Sequence, residues 1–471
     1  MQTAIVGIYL AAMILVGLAL RSRIDNISDF LIAGRNLGIL LTTATFAGIQ
    51  LGAGVILGGA ELAAQHGVWA GMWPGIGVGG GLILAGFIAA KKLRRQGAYV
   101  PLDFFGKRYG ENLWVRLWAW ISNIPSLLGI LGVQFMAAGA VGTMFGASFE
   151  TGVWSAGGVV LIYSMLGGMW GAVITDLVQV SVIVVAIPGL AFFTSQALTA
   201  NEGVTMLSGV GKLLSSPFVP QGMASTAIFN ILPFLLMISV SYDAYLRFQS
   251  AKSGHSAKWG AVYGGLIVIA ISFCAALIGA AGREVYPAIN ATAVLPEMIQ
   301  STLSPVLGGI VLAALLAAAM STANSLVISI AGSCSRDFYN KVLNRNEELN
   351  NLPFAKPLSR IVVGVSALLG IQIALHFEGL LRTMIVFATP YMASMLVALL
   401  GGLIWPRATA KAAYSAMVVG GIVGMIAFAV SVPGPFEGQF NADLALLIAW
   451  SLSTVVFVLV TLMTPSTKEK S

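Results

Sequence analysis

The chain has 471 residues, 58% of them hydrophobic and only 9% charged, with a mean hydropathy of +0.90 and a net charge of +7. Soluble domains carry about 25% charged residues, so composition excludes one here and indicates a protein that crosses a membrane many times. The positive balance does not call for nucleic acid, because membrane proteins gather Lys and Arg in their cytoplasmic loops.

A spanning helix needs about 20 apolar residues, and thirteen such runs can be read: 2–20, 38–63, 69–90, 113–143, 152–169, 170–198, 225–244, 258–282, 305–333, 359–376, 378–405, 411–432 and 442–464. The expected class is an all-α polytopic membrane protein, one transmembrane domain over 1–471. The first run lacks basic residues ahead of it and is followed by Arg21 and Arg23, so it reads as a retained helix and not a cleaved signal. An odd number of spans puts the termini on opposite sides. With the N-terminus outside, all of the 25 basic residues except Lys212, Arg283 and Arg382 fall on the cytoplasmic side. The C-terminus is then cytoplasmic, in a plasma or inner membrane. Cys274 and Cys334 sit at different depths and are not expected to pair.

The second span, "TTATFAGIQLGAGVILGGAE", carries glycines at 48, 52, 54, 58 and 59, a poor composition for an unbroken helix. The sixth contains Asp176, about 9 Å in from the cytoplasmic end by helix rise. No Lys or Arg falls at that depth in these spans, which leaves a mobile cation or a structural hydrogen bond to balance the carboxylate. The seventh, "TAIFNILPFLLMISVSYDAY", holds Asn230, Pro233, Ser239 and Ser241, and Pro233 removes a helix hydrogen bond in mid-membrane.

The second and seventh spans run in opposite directions five helices apart. Spans 38–198 and 225–405 therefore read as two inverted halves, with 2–20 an additional N-terminal helix and 411–464 two C-terminal ones. Interrupted helices at matching places in inverted halves mark the binding site of a secondary transporter; glycines that only allow close helix packing are the alternative. On the ninth span Ser321, Ser325 and Ser329 recur every fourth residue, with Thr322 and Ala318 beside them, so they share one face. They serve a ligand, or bond back to the preceding turn and pack helices.

The segments "GGMWGAVITDLVQ", "AAAMSTANSLVISIAGSCSRDFY" and "YDAYLRFQSAKS", with "AGRNLG" before the second span, resemble the signature segments of the sodium/solute symporter family. The resemblance covers nearly the whole chain. It implies a LeuT-type five-plus-five core and sodium-driven uptake, with Na+ held by the carbonyls of Gly48, Leu51 and Ala318 and the hydroxyls of Ser321 and Thr322. A further sodium site of some members would map to Asp176, Ser321, Asn324 and Ser325, where Asn324 departs from the usual serine.

Enzymatic and pump chemistry find no support: His66, His255 and His376 lie at span ends or in loops, and "SGVGKLL" lacks the Ser or Thr of a phosphate-binding loop. The short tail "TPSTKEKS" gives no output domain of the kind that would mark a solute sensor on the same fold. The substrate pocket is expected beside the two breaks, lined by Gln50, Gln134, Asn230, Phe234 and Met237, with no charged residue among these candidates. Amino acids or small carboxylates fit it best; neutral sugars, vitamins and nucleobases are the alternatives. Glu61 and Arg382 stand near the outer face, where a passing solute or bulk water would meet them. Sodium, the solute and the bilayer are the partners implied, with no nucleic acid or obligate protein.

Overall fold

Apolar runs must satisfy their own backbone polar groups in lipid, and helices do so within one segment. The computed structural model describes residues 1–203, 205–238, 241–345, 347–377, 379–431 and 442–465. Ser239 and the side chain of Arg382 lie outside the described residues. The principal helices are α1 (Gln2–Leu20), α2 (Ile39–Gln50), α3 (Ala53–His66), α4 (Val68–Ile88), α5 (Pro101–Tyr109), α6 (Leu113–Met144), α7 (Phe149–Glu202) and α8 (Ala224–Met237). They continue as α9 (Tyr242–Ser250), α10 (Gly254–Val285), α11 (Pro305–Gly332), α12 (Ala355–His376), α13 (Leu380–Ile404), α14 (Ala410–Ser431) and α15 (Ala442–Met463).

Among the described residues eleven stretches are long and apolar enough to cross a membrane, or twelve when the bent pair α2 and α3 counts as one. This count does not reach the expected thirteen, and the difference sits in α7. That helix has 54 residues, about 80 Å at 1.5 Å per residue, more than twice the hydrocarbon thickness. It changes course at Gly168 (φ 47°, ψ −143°), a conformation that L side chains avoid, and a Cβ there would lie 2.9 Å from the Phe30 carbonyl oxygen. Residues 152–169 and 170–198 are therefore joined end to end at a sharp bend.

Two groups of helices emerge. α10 packs along α4, α3 and α2, and α8 packs along α4; α11 lies against α6 and α7, and α12 against the same two. α13, α14 and α15 pack in succession at the side. The first group depends on small residues that let backbones touch. At Gly279 of α10 an added Cβ would stand 2.0 Å from the Ala60 carbonyl oxygen of α3. Gly279→Ala is accordingly expected to destabilise the protein by about 1–3 kcal/mol, read as a lower melting temperature in detergent. Gly7→Ala, with nothing within 4 Å of its Cβ, is the control and should change little.

One end of the second group is tied by charge. α11 continues into a π-helix, Ser333–Leu343, which presents Arg336 and Asp337. Arg116 at the start of α6 pairs with Asp337 at 2.8 Å, with Asp103 of α5 at 3.1 Å and with Glu111 at 3.5 Å. Arg336 pairs with Asp103 at 3.1 Å. The Tyr242 hydroxyl of α9 donates to Asp337 at 2.6 Å, and the Ser333 hydroxyl donates to the same oxygen at 3.3 Å. Burial alone would raise the Asp103 carboxyl, but Arg336, Arg116 and the Tyr99 N–H hold it below the usual range.

Candidate ion and substrate site

α2 ends at Gln50, Gly52 is extended (φ −70°, ψ −177°), and α3 restarts at an angle of 49°. The last carbonyls of α2 therefore have no amide one turn on and need other partners. α11 supplies them. The Ser321 hydroxyl donates to the Gly48 carbonyl at 2.8 Å and lies 3.1 Å from the Ala318 carbonyl. The Thr322 hydroxyl donates to the Ile49 carbonyl at 2.8 Å and lies 3.2 Å from the Ala318 carbonyl.

Four residues expected for the first sodium site, Gly48, Ala318, Ser321 and Thr322, thus converge. The Thr322 hydroxyl also meets the Ile49 carbonyl, which the sequence reading did not name, while the fifth expected residue, Leu51, adjoins the cluster at the end of α2. Gly52 is needed at the break because a Cβ there would meet the Thr322 hydroxyl and the Gln134 amide oxygen, each at 2.9 Å. The result is five neutral oxygens from two helices. A hydroxyl that turns its proton aside offers a lone pair, so these hydroxyls and carbonyls can together face a hard cation.

The group around Asp176 differs from expectation. Asp176 is fully buried; its Oδ2 accepts from the Thr45 hydroxyl at 2.5 Å, while its Oδ1 has no hydrogen-bond partner among the described residues and lies beside Gly48. The expectation that no cation lies at this depth is wrong. Arg247, read from the sequence as the start of a basic cytoplasmic loop, is fully buried in α9. Its Nη2 donates to the Ser325 hydroxyl, its Nε to Thr45 at 3.3 Å and its Nη1 to the Asp243 carbonyl at 3.1 Å. The stretch expected to end near 244 runs on to Ser250 by length and composition, and all nine residues of α9 are buried. The amide oxygen of Asn324 is also engaged, accepting from the Ser164 hydroxyl at 2.6 Å.

Beside the oxygen cluster lies a cavity of about 900 Å³, its open mouth included, at the junction of α2, α3, α8 and α9. Gln50, Gln134, Phe234 and Met237 line it, among mostly apolar neighbours such as Val55, Val78 and Phe229. Asn230 is not among its lining residues; its side-chain amide donates to the Thr226 carbonyl at 2.9 Å. The second break falls after Met237, one turn beyond Pro233, which the helix accommodates. A charged residue does reach the cavity. Asp243, in the first turn of α9, lines it with Ser241 and accepts a hydrogen bond from Gln50 at 3.1 Å. Asp243 and Arg247 stand one helical turn apart just past the interrupted span, a pattern visible in "YDAYLRF" but masked by the basic residues that follow. Glu61 is away from the cavity and accepts from Gln65 at 3.4 Å.

An interrupted helix whose last carbonyls meet a hydroxyl stripe on another helix, with a second interrupted helix beside the adjoining cavity, is the arrangement of an ion-coupled secondary transporter of LeuT type. The known proteins it resembles agree. The sodium:solute symporter family profile matches residues 30–420, and the chain belongs to that family. It is 24% identical to the sodium/proline symporter of Escherichia coli (strain K12), over 89% of this chain and 86% of that one. It is 26% identical to the sodium/pantothenate symporter of the same strain, over 86% and 85% of the two chains. In structure it is similar to a Na+-coupled sialic acid symporter, at a TM-score of 0.81 and 16% identity over 99% and 98% of the chains. The nucleobase-cation-symport-1 transporter Mhp1 aligns at a TM-score of 0.60 and 15% identity, over 93% and 95% of the chains. The family consists of membrane transporters, and this chain is a sodium-coupled importer of a small organic solute.

Proposed function

We propose that the solute is a small zwitterion, an amino or imino acid, carried inward with sodium by alternating access. The observation that supports this most is the Asp243 carboxylate, the one charged side chain among the described lining of a mostly apolar cavity, which suits an ammonium group on a compact apolar body. Gly52 and Gly54, at the N-terminus of α3, line the same cavity. A helix N-terminus favours a carboxylate, so the two ends of a zwitterion have complementary partners. A small carboxylate without the amine is the second reading, consistent with the same helix end.

Sodium in this proposal is held by Gly48, Ile49, Ala318, Ser321 and Thr322, with Leu51 adjoining. Because α2 and α11 come from different halves, the ion favours the conformation that brings them together. Each inward sodium contributes about 2.3 kcal/mol per 100 mV of membrane potential. The N-terminus is placed outside and the C-terminus in the cytoplasm, following the basic residues.

Melting of the purified protein tests the reading, because anything that binds only the folded state raises the transition. Sodium chloride should raise the melting temperature where potassium chloride of equal ionic strength does not. Zwitterionic amino acids should add a second shift in sodium only. Asp243→Asn should remove that second shift and keep the first. Equal shifts from acids that lack an amine would overturn the role given to Asp243, and identical sodium and potassium curves would overturn the sodium site.

A further inference from the structure

We infer that the crevice between α8, α13 and α15 holds one anionic phospholipid, with an acyl chain in the crevice and the phosphate at the cations around the end of α13. The crevice has a volume of about 1060 Å³, its open side included, and is lined by Leu236 of α8, Leu396, Leu400 and Trp405 of α13, and Trp450 and Phe457 of α15. Ile404, 63% exposed, stands at its open side. From Leu396 to Trp405 it follows α13 for about 14 Å, at 1.5 Å per residue. Half of a 30 Å hydrocarbon core is about 15 Å, so the crevice matches one acyl chain of a single leaflet.

Length alone would admit any lipid, and the charge at one end selects among them. Lys92 Nζ donates to the Leu403 carbonyl at 3.1 Å, and Arg108 Nη2 donates to the carbonyls of Pro406 and Ala408 at 3.1 and 3.2 Å. Arg407 Nη2 donates to the Leu462 carbonyl of α15 at 3.5 Å. Cations therefore meet two walls of the crevice at the same end. None of the three pairs with a carboxylate among the described residues. A helix C-terminus presents about half a negative charge, so three cations leave an excess that a phosphate would balance. Basic clusters between helices attract anionic headgroups in this way.

The crevice also backs onto the substrate cavity. Leu236 adjoins Met237 and Leu396 lies one turn from Met392, and both methionines line that cavity. A chain in the crevice thus braces the two helices that frame the solute, whichever solute is carried.

The test uses the purified full-length protein in nonionic detergent, with phosphatidylglycerol as the probe and phosphatidylcholine of the same acyl chains as the comparison. Native mass spectrometry should show one phosphatidylglycerol retained per chain, and that lipid alone should raise the melting temperature. Thr454→Trp, at an exposed position on the crevice wall, fills the space and should abolish retention. K92Q/R407Q, at two exposed side chains, should weaken retention about thirtyfold and is the comparison should Thr454→Trp fail to fold. Equal retention of the two lipids, an undiminished affinity in K92Q/R407Q, or a folded Thr454→Trp protein that still holds the lipid overturns the inference. An equal thermal shift from inorganic phosphate overturns it as well, because the anion would then bind the cations without the crevice.

Discussion

Thr322→Ala should raise the sodium concentration for half-saturation about ten- to a hundredfold, the factor that follows from losing one bond of about 1.5–3 kcal/mol to a charged partner. The substitution removes a single oxygen of a five-oxygen cluster and one methyl-sized volume, and the Ile49 and Ala318 carbonyls that the hydroxyl joins stay in place. Ser321→Ala should act in the same direction through Gly48. Thr322→Ser restores the hydroxyl and should restore most of the sodium response, which a packing role for the methyl group would not do. Sodium-dependent melting or fluorescence of the purified variants is the measurement. Unchanged sodium dependence in both alanine variants would return the stripe to helix packing.

Arg116→Ala should be the most destabilising single change, by about 3–5 kcal/mol, the cost of leaving buried charges without their partner. Arg116 and Asp103 are each 4% exposed at the side chain and Asp337 is fully buried, so no water replaces the lost guanidinium. Melting in detergent should show a large drop, whereas Glu111→Gln, at a carboxylate 56% exposed, should be close to neutral. The same network predicts a response to acid. The Asp103 carboxyl is held below its ordinary range, so its contribution is complete above the unfolded pKa, near 3.9, and is lost as pH falls through the lower folded value. The share of stability that Asp103 supplies, read as the melting-temperature difference between the wild type and Asp103→Asn, should therefore stay flat from neutral pH down to about 5 and shrink only below that.

How much of this was legible beforehand follows from what kind of information each feature needs. Hydropathy alone determined the class, the apolar segments and the two interruptions, because a bilayer imposes length and polarity on every segment independently of the others. The serine face of α11 was legible for the same local reason: a period of four fixes which side chains share a face before any partner is known. Glycines 48 and 52 likewise announced a break, and both are at it.

What the sequence could not determine is pairing across the fold. The Ile49 carbonyl meets the Thr322 hydroxyl, a pairing the sequence did not name, because the exact residue at which α2 stops sets which carbonyls lack an amide one turn on. Pro233 looked like the second break, yet the helix passes through it and ends after Met237, since tertiary packing along α4 holds the turn. The placing of Asn230 outside the cavity lining is of the same kind. Arg247 is the clearest case. Hydropathy counts an arginine against a membrane span because an isolated charge in lipid is costly, and so it assigned this one to a loop. Only the folded chain brings Thr45 of α2 and Ser325 of α11 to this guanidinium, with Asp176 of α7 hydrogen-bonded behind Thr45, beside the local Asp243 carbonyl of its own helix. Those contacts offset the cost of burial, and no sum over single residues contains them.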